Sequence, residues 1–254
     1  MNRLVNILVV LCLYVLEISA QTFPNYIAHG GGAMGRRTYT NSREAILQSI
    51  ERGYSFIELD LDTTSEGVLV AMHSWRSFHK STGHSEYGDS IFPLNSFKSA
   101  LIYQEYTPVT IDEVVEILQQ NPSIFLVTDK ISDVDVLDRS LSGIRERVYV
   151  EAFSIKDFIQ LRERGYHPMY SHGIASISSS VIENLMMGKT RIDFLVNTTS
   201  NSFKEISRIR CLMSMKIAMY TSNSMDFIES HLGTDVDLIY TDFYCPLTGE
   251  MLDP

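Results

Sequence analysis

The chain is poor in cysteine, with three among 254 residues. Cys12 lies in an apolar N-terminal run, so only Cys211 and Cys245 remain in the body of the sequence. They suffice for one disulfide or for two buried thiols, and they exclude a cysteine-built metal centre or a densely cross-linked scaffold. Positive charge is also scarce. Lys and Arg number 21 against 31 Asp and Glu, a formal net charge of -10, which argues against a nucleic-acid-binding surface. An acidic protein with an anionic substrate needs a local positive centre, and a metal ion is one source. No Gly-x-Gly-x-x-Gly follows the first apolar segment, which counts against a dinucleotide fold. Linkers, repeats and low-complexity tracts are missing too, and one domain is the simplest organisation over residues 21–254.

Long apolar runs are confined to the N-terminus. Asn2-Arg3 precedes a nearly unbroken apolar stretch over 4–16, and Ile18-Ser19-Ala20 has the small-residue character of a signal-peptidase site. The run is shorter than the about 20 residues of a membrane span. Residues 1–20 therefore read as a signal peptide, with an uncleaved anchor as the alternative, and the mature chain is expected to be secreted or periplasmic with no transmembrane span. Asn197-Thr-Thr is a glycosylation sequon if the source is eukaryotic.

What is present is a regular alternation. Strands are predicted at 26–29, 55–60, 124–129, 148–152, 167–171, 192–197, 216–220 and 238–241. Helical patterns lie between several of them. The segment 41–53 opens on Asn41 as cap and turns Ala45, Ile46, Leu47 and Ile50 inward, and 110–120, 154–165 and 224–232 follow the same period. Eight strands alternating with helices over about 230 residues predict an α/β fold of the (β/α)8 TIM-barrel type. An open doubly wound sheet is the alternative. After the second strand an extra strand over 67–73 and an aromatic stretch over 74–108 predict a small insertion above the barrel mouth.

The second strand carries Glu58 and Asp60, two residues apart and so on one face, roughly 7 Å apart at the backbone. Ile57, Leu59 and Leu61 point the other way. Two carboxylates on the polar face of an apolar strand repel each other unless a cation lies between them, and a hard divalent ion, Mg²⁺ or Ca²⁺, prefers oxygen ligands. His29, His73 and Asp129-Lys130 end other short apolar runs, which is where a (β/α)8 barrel gathers its active site. Glu151, at the end of the fourth strand, reads equally well as a further ligand or as a satisfied barrel carboxylate. His79 and His84 read as surface residues, and His167, His172 and His231 as structural ones.

His29-Gly-Gly-Gly, Thr40-Asn41-Ser42-Arg-Glu-Ala45, Gly53-Tyr-Ser-Phe-Ile-Glu58-Leu-Asp60 and Thr63-Thr-Ser-Glu-Gly67-Val-Leu-Val-Ala-Met-His73 resemble the glycerophosphodiester phosphodiesterase family in order and spacing. Val127-Thr-Asp129-Lys130 and Ile239-Tyr-Thr241-Asp242 continue the resemblance. It implies a (β/α)8 barrel with one divalent cation and hydrolysis of a glycerophosphodiester-like substrate. It also implies Glu58 and Asp60 as metal ligands, His29 and His73 as the acid/base pair, and Lys130 as a phosphate-neutralising group. Asp129, as a third metal ligand, also resembles the related sphingomyelinase D-like phospholipases. The family usually has Arg after its first His, where this chain has Gly30. Backbone N–H groups of Gly30 and Gly31 are expected to substitute as an anion nest, or Arg36 or Arg37 to reach in. Asn41 and Trp75 are the other expected substrate contacts. The family's Glu-Asn-Thr is here Thr40-Asn41-Ser42, which removes one acidic ligand. A phospholipid or surface-polymer phosphodiester is an alternative substrate, and a catalytically silent binding barrel an alternative function.

Overall fold

The computed structural model describes residues 26–171, the strand at 194–198 and residues 216–252. In chain order the strands are β1 (Tyr26–Ala28), β2 (Phe56–Thr63), β3 (Leu69–Ala71), β4 (Phe125–Asp129), β5 (Val148–Ala152), β6 (His167–Ser171), β7 (Phe194–Thr198), β8 (Lys216–Tyr220) and β9 (Leu238–Thr241). In this sheet all but β3 are parallel, and β1 pairs with both β2 and β9; the short strands β10 (Tyr244–Cys245) and β11 (Glu250–Met251) form a separate antiparallel pair. Among the described residues the eight parallel strands therefore close on themselves, as the alternation predicts, and the open doubly wound alternative is excluded. Four of them, β5, β6, β8 and β9, have the predicted bounds.

The period of two divides the core into two layers. Ile57, Leu59 and Leu61 are essentially fully buried between sheet and helices, with Leu126, Val148, Val150 and Ile239 from neighbouring strands. Phe56, Val127, Tyr149, Met169, Leu238 and Tyr240 fill the barrel interior. Glu58 and Asp60 continue the inner row of β2 above Phe56, so they stand over an apolar plug and face the open end.

Of the helices α1 (Arg43–Glu51), α2 (Trp75–Thr82), α3 (Leu94–Ser99), α4 (Ile111–Gln120), α5 (Val134–Leu141), α6 (Ile155–Arg164) and α7 (Met225–His231), α1, α4, α6 and α7 answer the four predicted segments with local differences, and α2, α3 and α5 are additional. The Thr110 and Glu113 side chains form a reciprocal capping box on α4. Gly165 closes α6 in the left-handed conformation, φ 96°. The α1 cap is Ser42, whose Oγ accepts from Ala45 N at 3.2 Å, not Asn41. Within α1, Leu47 is 38% exposed, and Ser49 is buried because its hydroxyl donates to the Gly31 carbonyl.

Strand β2 does not end at Asp60. Its first five residues pair with β4, and Leu61–Thr63 pair antiparallel with β3. The insertion thus begins as a hairpin on a barrel strand. It holds a core of its own, formed by Val70, Met72, Trp75, Phe78, Phe97, Ile102 and Tyr106. No described helix is long and apolar enough to cross a membrane. The expected leader, His172 and Cys211 lie outside the described residues. Cys245 is buried.

Candidate active site

Register brings the acidic residues together. Asp60 on β2 lies opposite Asp129 on β4, and Glu58 is one inner position lower. Carboxylate oxygens of Glu58, Asp60 and Asp129 all lie within 4.8 Å of one another, and Glu58 and Asp60 are buried. Strand β4 stops at Asp129, and Lys130 adopts a left-handed backbone, φ 72°. The strand end lets adjacent residues serve one site: Lys130 Nζ is 3.2 Å from Asp129 Oδ2 and 3.6 Å from Asp60 Oδ1. Lys130 is therefore paired with the candidate ligands and not with Asp133, whose carboxylate caps α5.

The two histidines arrive by different routes. His29 follows β1 directly. It is buried, and its Nδ1 lies 3.0 Å from Asp242 Oδ1. A carboxylate only accepts, so Nδ1 carries a proton, and in the neutral ring Nε2 is then the atom with the free lone pair. Asn223 holds the other Asp242 oxygen, Nδ2 to Oδ2 at 2.7 Å, and accepts from the Asp242 backbone at 2.8 Å. His73 comes from the insertion: Met72 N–H donates to the Asp60 carbonyl at 2.9 Å, so the β3 return sets the next residue at the mouth. His29, His73, Glu58, Asp60, Asp129 and Lys130 line one cavity of about 480 Å³ together with Tyr39, Glu151, Phe153, Ser171, Tyr220 and Tyr240.

Glu151 belongs to this group. It accepts from the Tyr240 hydroxyl at 2.7 Å. Burial, and then the Asp129 charge, push its carboxyl up to about 8. Burial and Asp60 raise Glu58 well above the carboxylate range, despite a 2.7 Å hydrogen bond from Gly30 N–H. Partial burial opposes the Lys130 charge, but Asp129 and Asp60 outweigh it and hold the ammonium above the usual lysine range. One ammonium thus faces four carboxyl groups. The excess of buried acid and the all-oxygen donor set fit a hard divalent cation held by Glu58, Asp60 and Asp129.

Other expected contacts sit elsewhere. Gly30 and Gly31 do not line the cavity: the Gly30 N–H is spent on Glu58, and the Gly31 carbonyl accepts from Ser49. A Cβ at Gly30 would come within 2.8 Å of Tyr39 Cα, so Tyr39 closes the space where the family's Arg would begin. Arg37 stacks over the Tyr103 ring at 4.2 Å, and neither it nor Arg36 lines the carboxylate cavity. Asn41 is fully buried and grips Asp60 twice: Nδ2 donates to Oδ2, and Oδ1 accepts from the Asp60 N–H, both at 3.0 Å. It positions Asp60 and is not among the residues lining the cavity. Its left-handed backbone, φ 48°, is one that Asn tolerates.

Trp75 is buried among Phe78, Phe92 and Phe97 in the insertion core, away from the cavity. Trp75→Ala is therefore expected to destabilise the protein by about 3–5 kcal/mol, whereas Trp75→Phe leaves KM close to the wild-type value. Denaturant melts and initial rates check both, and a KM rise in the Phe variant at unchanged stability would return Trp75 to the substrate site. His79 is also buried and not a surface residue, its Nε2 lying 2.8 Å from the Ser90 carbonyl. His84 is exposed, as expected.

Asp242, Asn223, Tyr39 and Tyr240 carry much of the arrangement; the sequence gives Asn223 and Tyr39 no signal, and Tyr240 and Asp242 stand in the closing motif of the resemblance without a role. Asp242 stands just past β9, the same strand-end signal that marks His29.

The family model described as glycerophosphoryl diester phosphodiesterase matches residues 29–136. Among curated proteins no significant sequence match is found. Among the solved structures that share the fold are three phosphodiesterases. The Oleispira antarctica phosphodiesterase, in complex with the product sn-glycerol-3-phosphate, is 18% identical, with 86% of this chain and 93% of that one covered at a TM-score of 0.68. A glycerophosphoryl diester phosphodiesterase from Parabacteroides distasonis is 11% identical, with coverages of 88% and 84% and a TM-score of 0.68. The Thermotoga maritima glycerophosphodiester phosphodiesterase is 17% identical, with coverages of 85% and 93% and a TM-score of 0.65. The matched stretch contains His29, Glu58, Asp60, His73, Asp129 and Lys130, and over it the chain is similar to the glycerophosphoryl diester phosphodiesterase family.

Proposed function

We infer that the protein hydrolyses a small glycerophosphodiester-like substrate with a divalent cation, His29 and His73 acting as base and acid. The observation that carries this reading is the convergence of two imidazoles, one ammonium and an acidic triad, two of its members buried, on one cavity. Bound by Glu58, Asp60 and Asp129, a cation would supply Lewis-acid charge to the phosphoryl oxygens. Lys130, 40% exposed at its side chain, extends from the same carboxylates and offsets charge on the phosphoryl group. His29 is oriented by Asp242 to take the proton of the attacking hydroxyl at Nε2. As that oxygen bonds to phosphorus, the bond from phosphorus to the departing alcohol breaks, and His73 gives its proton to the leaving oxygen. The attacking hydroxyl is a neighbouring one on the substrate or a water molecule. Hydrolysis of soluble glycerophosphodiesters that stops with chelator and returns with Mg²⁺ or Ca²⁺ tests the reading. Wild-type protein inert toward a diester panel, or turnover indifferent to chelator, would remove it. Faster release from liposomes than from soluble diesters would favour the lipid substrate.

The acidic cluster also sets a pH dependence. Glu151 ordinarily titrates near 4.5 and in the fold near 8, so the folded state holds a proton that the unfolded chain releases. The metal-free protein is therefore expected to lose stability as pH rises through that window. A cation that takes the place of the bound protons should stabilise most at the alkaline end, by about 2.7 kcal/mol at a hundred times its Kd. Thermal melts with chelator or cation across this range measure it. Equal cation effects at both ends would contradict the linkage.

We also propose export. The support is the N-terminal sequence alone, and the N-terminal residue of the protein isolated from its source tests it: an unprocessed Met1 would exclude cleavage.

A further inference from the structure

A second cavity, of about 250 Å³, adjoins the first. Tyr39 and His73 line both. Tyr39 holds its place with a left-handed backbone, φ 57°. Its ring meets His29 edge-on at 4.2 Å and His73 at 5.5 Å, so it forms the partition between the cavities. The two spaces differ in chemistry. The first is walled by four carboxyl groups and Lys130. The second has Thr38, Thr40, Ser77 and Ser81 beside Phe78 and Tyr103, and His73 is its one titrating side chain other than the tyrosines.

The departing oxygen of a diester must lie within hydrogen-bond reach of its acid, and the carbon it carries must point away from phosphorus. The space on the far side of His73 is the second cavity. We propose that this cavity is the subsite for the leaving alcohol, that it selects a small neutral polyol, and that Tyr39 is the residue directing that arm past His73. The proposal rests on the phosphodiesterase reading above. Hydroxyl groups and aromatic walls suit a hydroxylated carbon skeleton. The volume is below the about 300–1,000 Å³ of pockets for drug-sized ligands, which excludes paired acyl chains. Arg37 already covers the Tyr103 face, which disfavours a cationic headgroup such as choline. The departure from the family pattern has a use here: Gly30 leaves room for Tyr39, and Tyr39 builds the wall.

The test compares kcat/KM for glycerophosphoglycerol, glycerophosphocholine and the methyl ester of glycerol phosphate. The wild type is expected to prefer glycerophosphoglycerol. Ser81→Phe, which fills the cavity, should lower the glycerophosphoglycerol-to-methyl-ester ratio by about tenfold or more, mainly through KM. Tyr39→Ala, which opens the partition instead, should lower the same ratio, with circular dichroism and the cation-induced rise in Tm confirming the fold. A proportional loss on both substrates, or an unchanged ratio in both variants, overturns the proposal and leaves the phosphodiesterase reading intact. A wild-type preference for glycerophosphocholine that Ser81→Phe abolishes overturns the neutral-polyol assignment. Wild-type protein that hydrolyses none of the three overturns both.

Discussion

Glu58→Gln is expected to reduce kcat by about 10³-fold or more while the protein stays folded, a loss of about 4 kcal/mol in transition-state stabilisation. The amide keeps the length of the side chain and can still accept the Gly30 N–H that now bonds Glu58 Oε2. What it removes is one of three acidic oxygens within 4.8 Å of each other. Burial and the Asp60 charge already raise the Glu58 carboxyl well above the ordinary range. Neutralising it should therefore not harm the metal-free fold. The cation-induced rise in Tm should shrink or vanish. Steady-state kinetics and paired melts with and without cation give both readings. Wild-type turnover in this variant would dissolve the metal centre proposed here.

His29→Asn is expected to cost about 10²–10⁴-fold in kcat, the usual range for removing a positioned acid or base. The arrangement makes a second, sharper prediction. Asp242 accepts from Nδ1 and so leaves Nε2 as the basic atom. An amide in Asp242→Asn can donate where the carboxylate accepted, which favours the opposite tautomer. Turnover should fall by about 10²-fold or more although the imidazole is still present. The limb of the kcat–pH profile belonging to the base should move or disappear in Asp242→Asn and stay in His73→Asn. Retention of that limb in both His29→Asn and Asp242→Asn would show that His29 holds no reacting proton.

The sequence revealed those parts of the site that follow from period and position. Glu58 and Asp60 break a strand on one face, and Ile57, Leu59 and Leu61 on the other are buried as alternation requires. Asp129 and Lys130 could share a site only if the strand ended there, and it does. In the sequence Gly30 reads as part of an anion nest, Asn41 as a contact within the family motif, and Trp75 as a contact because it lies two residues past His73. The structure assigns each of them a different neighbour: Asn41 clasps Asp60, Gly30 yields to Tyr39, and Trp75 packs against phenylalanines. Such choices depend on side-chain volume across the fold, which no spacing rule carries. Tyr39 was invisible for the same reason, since its importance comes from Gly30 being small. Asp242 satisfies the strand-end rule, but its partner His29 is 213 residues away, a pairing that only the closed barrel brings about.

The hairpin that β2 forms with β3 has a bearing on how this protein could be re-engineered. A swapped or trimmed cap would have to be spliced into the stave that presents Asp60, one residue beyond it. The cap also delivers His73. Variation in substrate choice is therefore better sought by side-chain exchange inside the cap than by replacing it whole, and a chimera exchanged at residues 61–73 should arrive with its acidic pair out of line.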